Sequence, residues 1–208
     1  MGFHFGSTAG TGRELVKLGL DNNHAVTAFA RDPAKLSDFD YERLSVFHGD
    51  VLDPQSVERA VAGHEAVLSA IGAGRVRTTL RHDGTGNIVK AMEKSGVKRL
   101  ISLSSLGVGG SRSNLPFFVR RIIVPFVLRH AFADHEDQER LIKQSDLDWI
   151  IVRPSYLTDG PLTGTYLHGF PVTERSLKGQ IARADVADFM LKQLEDSRYL
   201  HQSVGLSY

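Results

Sequence analysis

The chain of 208 residues fits one domain and is long enough to bury a substantial core. Its 25 basic and 24 acidic side chains leave a net charge of +1, which gives no reason to expect nucleic acid or an anionic membrane as a partner. The chain has no cysteine, which excludes disulfides, thiolate metal sites and a cysteine nucleophile.

The N-terminal stretch combines a short apolar run, several glycines and a helical pattern. Residues 2–5 predict a strand, and apolar spacing over 15–20 predicts the helix that follows. The glycines between them fit G-x-x-x-G-x-G or G-x-x-A-x-x-G. This pattern is typical of dinucleotide sites, since glycines let the backbone approach a pyrophosphate at the start of a helix. The predicted cofactor-binding residues of this turn are Gly6, Thr8, Ala9, Gly10, Thr11 and Gly12.

Strands and helices alternate along the rest of the chain. Asp-Pro pairs at 32–33 and 53–54 predict helix starts, and Gly96 predicts a helix end. The alternation indicates βαβ units, so we predict an α/β fold with a doubly wound parallel sheet, the Rossmann fold. One domain over 1–208 is expected, with the substrate pocket formed mainly by 105–180. Further strands are predicted at 24–30, 44–50, 66–72, 99–105 and 148–152, and helices at 54–63, 87–96 and 185–194.

The segment 115–128 is strongly apolar but contains two arginines and two prolines. It is too short and too interrupted to span a bilayer. A membrane-surface role would need a wider basic face than Arg120 and Arg121 supply. We therefore expect the segment to pack on the core or cover the pocket, partly at an oligomer interface.

The end of the second predicted strand indicates which nicotinamide cofactor is bound. An acid at this place accepts from the ribose 2′-hydroxyl of NAD, whereas arginine accommodates the 2′-phosphate of NADP. If Asp32 caps the next helix, Arg31 is free to bind phosphate, which favours NADP(H). The other cofactor contacts are expected at the ends of later strands, from Asp50, Val51, Ala70, Ile71, Gly72, Ser104 and Pro154.

The catalytic group cannot be the tyrosine of a usual short-chain dehydrogenase, which has a lysine four positions later. No tyrosine of this chain has one. The remaining candidates are Ser105, which ends the fifth strand, Tyr156 after the sixth, and His135 in the preceding helix. The polar run 134–137 does not converge on one ion when it is helical, so no metal site is predicted.

These motifs resemble the atypical short-chain reductases of the NmrA-like group, and most closely the biliverdin-IXβ reductase/flavin reductase family. The likeness runs nearly end to end. Two positions depart from the family pattern, Ala9 for a glycine and Tyr156 for a histidine. The resemblance to this family is carried by residues 5–12, 30–32, 49–52, 87–92, 96–97, 153–154 and 159–166.

The resemblance implies hydride transfer from NADPH to flavins or linear tetrapyrroles, with flavin as a substrate rather than a tightly bound cofactor. It makes Ser105 the active-site serine and His135 a pocket histidine. The alternative is an NmrA-like regulator that senses NADP(H) without turnover; a sugar-nucleotide or carbonyl enzyme ranks last. We expect a monomer or weak homo-oligomer in the cytoplasm, with a small planar acceptor, no nucleic acid, no membrane span and no signal peptide.

Overall fold

The computed structural model describes residues 2–39, 42–72, 79–174 and 176–208, with the backbone alone for residues 2 and 3. The α-helices are α1 Gly10–Asp21, α2 Pro54–Val61, α3 Leu80–Ser95, α4 Arg129–Gln144 and α5 Arg183–Lys192. The strands are β1 Gly2–Phe5, β2 Val26–Ala30, β3 Leu44–His48, β4 Ala66–Ser69, β5 Arg99–Leu103, β6 Asp148–Pro154, β7 Tyr156–Thr158, β8 Leu167–His168, β9 Gln180–Ala182 and β10 Gln202–Ser207.

Eight strands form the main sheet in the order β3-β2-β1-β4-β5-β6-β10-β8. All neighbours in it are parallel except β10 and β8, which are antiparallel. The first six strands have the order of a doubly wound dinucleotide-binding sheet. The predicted Rossmann fold is therefore confirmed.

The sheet is buried because helices cover both of its faces. Apolar side chains of α1 and α5 pack on one face, and those of α2, α3 and α4 pack on the other. Strands β2 and β4 are buried along their whole length, as a strand covered on both sides requires. The parallel arrangement brings the carboxyl ends of β1, β2, β4, β5 and β6 to one edge.

Two of the predicted helix signals act as expected. The Asp53 side chain accepts a hydrogen bond from Gln55 N at 3.1 Å and so caps α2. Gly96 follows α3 with a φ of +75° and donates its N–H to Met92 O.

The Asp-Pro pair at 32–33 behaves differently from the prediction. Pro33–Leu36 forms only a short 3₁₀ turn, and Asp32 makes no side-chain hydrogen bond to it. The helix expected from residue 87 begins at Leu80, and the strands β7, β8, β9 and β10 were not predicted. β10 lengthens the parallel sheet, while β7 and β9 pair in a small sheet of their own.

A π-helical segment, Val119–Leu128, leads directly into α4. Pro125 lies inside it and has no backbone N–H to donate, which is consistent with the loss of α-helical hydrogen bonding there. The inner side of the segment packs with Val124 against Val108 and Phe132. In the described part of the chain, no helix is long and apolar enough to cross a membrane.

Candidate active site

A cavity of about 1010 Å³ opens along the carboxyl edge of the sheet. Its walls include residues that follow five parallel strands, which is where open α/β sheets bind ligands. Nearly all of the predicted site residues line it. These are Gly6, Thr8, Ala9, Gly10, Thr11, Arg31, Val51, Ala70, Ile71, Gly72, Ser104, Ser105, His135, Pro154 and Tyr156.

The glycine turn holds β1, β4 and α1 in close contact. A Cβ atom on Gly6 would lie 2.4 Å from Ala70 O, and Gly6 has a φ of +79°. A Cβ atom on Gly12 would lie 1.9 Å from Gly6 O. These short distances mean that both positions require glycine. Gly12 does not line the cavity; it lets the start of α1 approach the turn.

The start of α1 has the features of an anion site. Ala9 is the N-cap residue and provides no side-chain hydrogen bond, and the first turn contains no acid. The first N–H groups of a helix have no partner within it, and they carry the positive end of the helix dipole. The buried Thr11 hydroxyl also has no hydrogen-bond partner among the described residues. These unsatisfied donors fit a pyrophosphate.

A cation that the sequence did not indicate lies beside this turn. Arg183, the first residue of α5, lines the cavity, and its Nε would be 3.5 Å from a Cβ atom on Gly10. Its guanidinium is paired with the exposed carboxylate of Asp159. Charge of this sign next to the helix start also favours an anionic ligand.

The end of β2 presents two cations and one acid to the cavity. Arg31 is exposed there, and Lys35 lines the same wall. Asp32 lines it as well, with its carboxylate 4.0 Å from Lys35 Nζ. The expectation that Asp32 is occupied as a helix cap was wrong. Asp32 is instead paired with Lys35, and this ion pair is the reason to expect that Arg31 is free to bind a phosphate.

The two cofactor contacts predicted at the end of β3, Asp50 and Val51, differ in their position relative to the cavity. Val51 lines the cavity, and its carbonyl accepts a hydrogen bond from Asn87 Nδ2 at 2.9 Å. Asp50 is not among the lining residues; its Oδ1 accepts from Leu52 N at 3.0 Å and shapes the turn.

Ser104 is held in a buried ionic network between α4, β5 and β6. Its hydroxyl donates to Glu139 Oε1 at 2.8 Å, and Arg153 Nε donates to the same oxygen at 2.8 Å. Lys143 Nζ donates to Glu139 Oε2 at 2.8 Å. Burial alone would raise the pKa of Glu139, but Arg153, Lys143 and Ser104 outweigh it and lower the pKa. Ser104 therefore anchors the cavity wall.

Ser105 and Tyr156 have fewer protein contacts. The Ser105 hydroxyl has one long hydrogen bond, 3.4 Å to Leu106 O, and is half-buried at the cavity wall. Tyr156 is 73% exposed and lies at the mouth. Both residues line the cavity. Tyr41, checked above for a partner lysine, lies outside the described residues.

His135 faces the cavity as a neutral ring. Gln138 Nε2 donates to Ser102 Oγ at 3.1 Å, so Gln138 Oε1 points to His135 Nδ1, 3.2 Å away. The Nδ1 atom therefore carries the proton, and Nε2 is a hydrogen-bond acceptor. Burial, and secondly the charge of Arg81, lower the pKa of His135 to about 4. At neutral pH its Nε2 atom therefore accepts rather than donates a hydrogen bond.

Arg81 is a cavity residue that the sequence reasoning missed. It is buried, and its Nη1 donates to Asp134 Oδ2 at 3.1 Å. Asp134 Oδ1 also accepts from His82 N at 3.1 Å, so α4 caps the start of α3. The position of Arg81 at the start of α3 could have indicated a cavity residue, because helices of a parallel sheet begin at its ligand-binding edge.

The apolar wall of the cavity differs from the expectation for the segment 115–128. Its inner residues line the cavity, and its phenylalanines point away, with Phe117, Phe118 and Phe126 between 62% and 78% exposed. Only the inner side of the segment 115–128 therefore contributes to the cavity. The apolar residues that line this end are Ile71, Leu80, Leu103, Leu106, Leu115, Pro116, Val119, Leu128, Leu157 and Leu177.

The stretch 159–166, prominent in the family resemblance, does not line the cavity. The buried Asp185 holds it: its Oδ1 accepts from Thr163 N at 2.9 Å and from Gly164 N at 2.8 Å. Burial alone would raise the pKa of Asp185, but these hydrogen bonds and that of Tyr208 lower it. The stretch thus fixes the chain around α5. Among the described residues, no three His, Asp or Glu side chains cluster as metal ligands.

Fold and cavity together define an NAD(P)H-binding protein with a Rossmann fold. A family model described as NAD(P)H-binding matches residues 6–197, and the chain belongs to this family.

Similar proteins agree with this assignment. A chloroplastic, uncharacterised protein of Arabidopsis thaliana is 29% identical, over 92% of this chain and 71% of its own length. ChuY, an anaerobillin reductase from Escherichia coli O157:H7, superposes with a TM-score of 0.80 at 24% identity, over 99% and 96% of the two chains. A short-chain dehydrogenase/reductase of Veillonella parvula in complex with NADP gives 0.82 at 20% identity, over 100% and 94%.

Proposed function

We propose that the protein is an NADPH-dependent reductase whose acceptor is a flavin or a related planar molecule such as a linear tetrapyrrole. The observation that carries the proposal is a single cavity of about 1010 Å³, in which an anion site continues into an apolar wall. This volume is at the upper end of the range for ligand pockets, so a dinucleotide and an acceptor fit together.

The residues at the anion end are assigned to the cofactor. The N–H groups at the start of α1 and the Thr11 hydroxyl would bind the pyrophosphate. Arg31 and Lys35 would bind the 2′-phosphate, because guanidinium and ammonium groups are the usual partners of a phosphate. NADPH supplies the hydride when it is bound.

The residues at the apolar end are assigned to the acceptor. Ile71 and Leu157 would exclude water and provide a flat surface for a planar ring. His135 Nε2 would accept a hydrogen bond from a ring N–H, which is how a neutral histidine orients a flavin or a pyrrole. The Ser105 and Tyr156 hydroxyls are placed to hold polar atoms of the acceptor or to pass it a proton.

The lack of a tyrosine–lysine pair supports a planar, electron-poor acceptor. A ketone needs a positioned proton donor at its oxygen, whereas a flavin ring accepts hydride at nitrogen and needs only one further proton, which water can supply. Positioning is then the main contribution of the protein.

The test is to mix the purified protein with NADPH and with FMN, FAD or biliverdin, and to follow NADPH absorbance. Oxidation well above the protein-free rate with at least one acceptor supports the reductase. Tight NADP(H) binding without oxidation across the panel supports the alternative, a regulator that senses the cofactor. The cytoplasmic location, the single domain 1–208 and the monomer or weak homo-oligomer stay predictions.

A further inference from the structure

A second surface, away from the cavity, combines exposed apolar and cationic side chains on the helix that leads into α4. We call it the outer face. Its arginines surround a depression of about 670 Å³. The residues that define the outer face are Phe117, Phe118, Ile122, Phe126, Val127, Arg112, Arg120, Arg121 and Arg129.

The apolar side chains of the outer face are unusually exposed. Phe126 is 78% exposed, Phe117 69% and Val127 63%. The opposite side of the helix is fixed to the protein, since Val124 is buried and Val119 and Leu128 line the cavity. Several large apolar side chains exposed along one short segment are typical of an interaction site.

The charge around these side chains is mostly positive. The chain has no Asp or Glu between residues 94 and 133. In the described ranges, none of the four arginines forms an ion pair. Arg120 and Arg121 lie 6.0 Å from the Phe117 ring centroid, so cations and aromatic rings share one surface. Glu136 is the acid that borders the depression.

The fold brings further basic residues next to this segment. Arg120 and Arg121 alone gave too narrow a basic face for a membrane surface. The fold adds Arg112 from the preceding turn and Arg129 from the start of α4, and all four line the same depression. Together they give the face the composition of an interfacial helix, with aromatic and aliphatic residues for the lipid and arginines for its phosphates.

We propose that the outer face binds the surface of an anionic phospholipid bilayer. Phe118 and Phe126 would insert at the level of the headgroups, while the arginines contact lipid phosphates. A second copy of the chain fits less well, because a two-fold dimer through this face would set the same unpaired arginines against each other. Nucleic acid would leave the aliphatic side chains without a partner.

The test is flotation of the full chain with vesicles of phosphatidylcholine alone or of equal parts phosphatidylcholine and phosphatidylserine. We expect binding to the anionic vesicles, weakened by added salt. The double variant Arg121→Gln/Arg129→Gln should bind about thirtyfold more weakly. Binding of the double variant Phe118→Ser/Phe126→Ser should be weaker by a factor of roughly ten or more.

Matched changes elsewhere separate the outer face from general effects of charge and hydrophobicity. Arg59→Gln/Lys90→Gln removes the same charge from α2 and α3, and Leu162→Ser/Val172→Ser removes exposed apolar side chains. Both should bind within about twofold of the unchanged protein. Circular dichroism and thermal unfolding confirm that each variant is folded.

Three results would overturn the proposal. They are equal binding of the protein to neutral and anionic vesicles, no binding to either, and equal loss in the control variants. A dimer in sedimentation that Phe118→Ser/Phe126→Ser dissociates, without vesicle binding, would assign the face to a second copy. None of these measurements involves NADPH, so they are independent of the reductase proposal.

Discussion

We propose that Arg31 decides the choice between the two nicotinamide cofactors. It lies exposed at the end of β2, and the adjacent Asp32 is paired with Lys35 at 4.0 Å. An Asp32 carboxylate free to bind a ribose hydroxyl would favour NAD. Its ion pair with Lys35 instead leaves a net positive charge at this end of the cavity, which favours a phosphate.

Replacing Arg31 by alanine should weaken NADPH binding about 10- to 100-fold, since a charge-assisted hydrogen-bonded contact is removed. NADH affinity should change little. Titration of both nucleotides, followed by calorimetry, measures the two dissociation constants. Arg59→Ala, an exposed arginine on α2, is the control. An equal loss for NADPH and NADH would show that Arg31 does not read the 2′-phosphate.

The site residues that could be predicted are those encoded locally. The turn around Gly6 and Gly12 and the arginine after β2 are adjacent in sequence to the strands that place them. Arg81 and Asp134 are 53 residues apart and meet only when α3 packs on α4. No local pattern carries that contact.

At the scale of elements, Glu139 connects α4 to two strands. It accepts from Ser104 at the end of β5 and from Arg153 on β6, and all three side chains are buried. Because Arg153 is buried, the Glu139 carboxylate is needed to balance its positive charge. The ionic network therefore fixes α4 and the cavity wall against the sheet.

Glu139→Ala should lower the free energy of unfolding by about 3–5 kcal/mol, because it leaves a buried guanidinium unpaired. Urea denaturation measures the change. Asp137→Ala, which breaks the exposed pair with Arg140 on the same helix, should cost less than about 1 kcal/mol. A similar small loss for both variants would contradict a structural role of the network.

The elements that escaped prediction are those with little periodic signal. The π-helical segment Val119–Leu128 does not follow the α-helical spacing. In β10, only Val204 and Leu206 alternate with other residues, and its place beside β6 is set by tertiary packing. Strands β2 and β4 were recognisable because they are buried throughout.

At the scale of the whole molecule, buried histidines couple stability to pH. His4 lies inside β1, and burial, with the charges of His24 and His64, lowers its pKa to about 3. The unfolded chain takes up this proton near pH 6.5, whereas the folded chain does not. Stability is therefore complete above about pH 6.5 and falls as the pH decreases towards about 3.

His4→Leu should reduce this pH dependence. Between about pH 6.5 and pH 4.5 the histidine accounts for a fall of about 2–3 kcal/mol in the free energy of unfolding, and the variant should lack it. Urea denaturation at several pH values is the measurement, with His48→Gln as an exposed control. If His4→Leu and the unchanged protein show parallel pH curves, His4 is not the cause.

The overall architecture was the most predictable level, because alternating strands and helices leave few topologies for a parallel sheet. The alternation did not predict strands β8 and β10 of the main sheet or the small β7–β9 sheet. It also did not predict which side of the segment before α4 faces inward. These depend on which surfaces the finished sheet leaves to be covered.

Hydride transfer from NADPH is the central claim, and an isotope measurement tests it most directly. NADPH deuterated at the transferable position of its nicotinamide ring would be mixed with the protein and the best acceptor of the panel. We predict oxidation well above the protein-free rate and slower turnover than with unlabelled NADPH. Tight binding of NADPH with no oxidation above the protein-free rate for any acceptor would contradict the account.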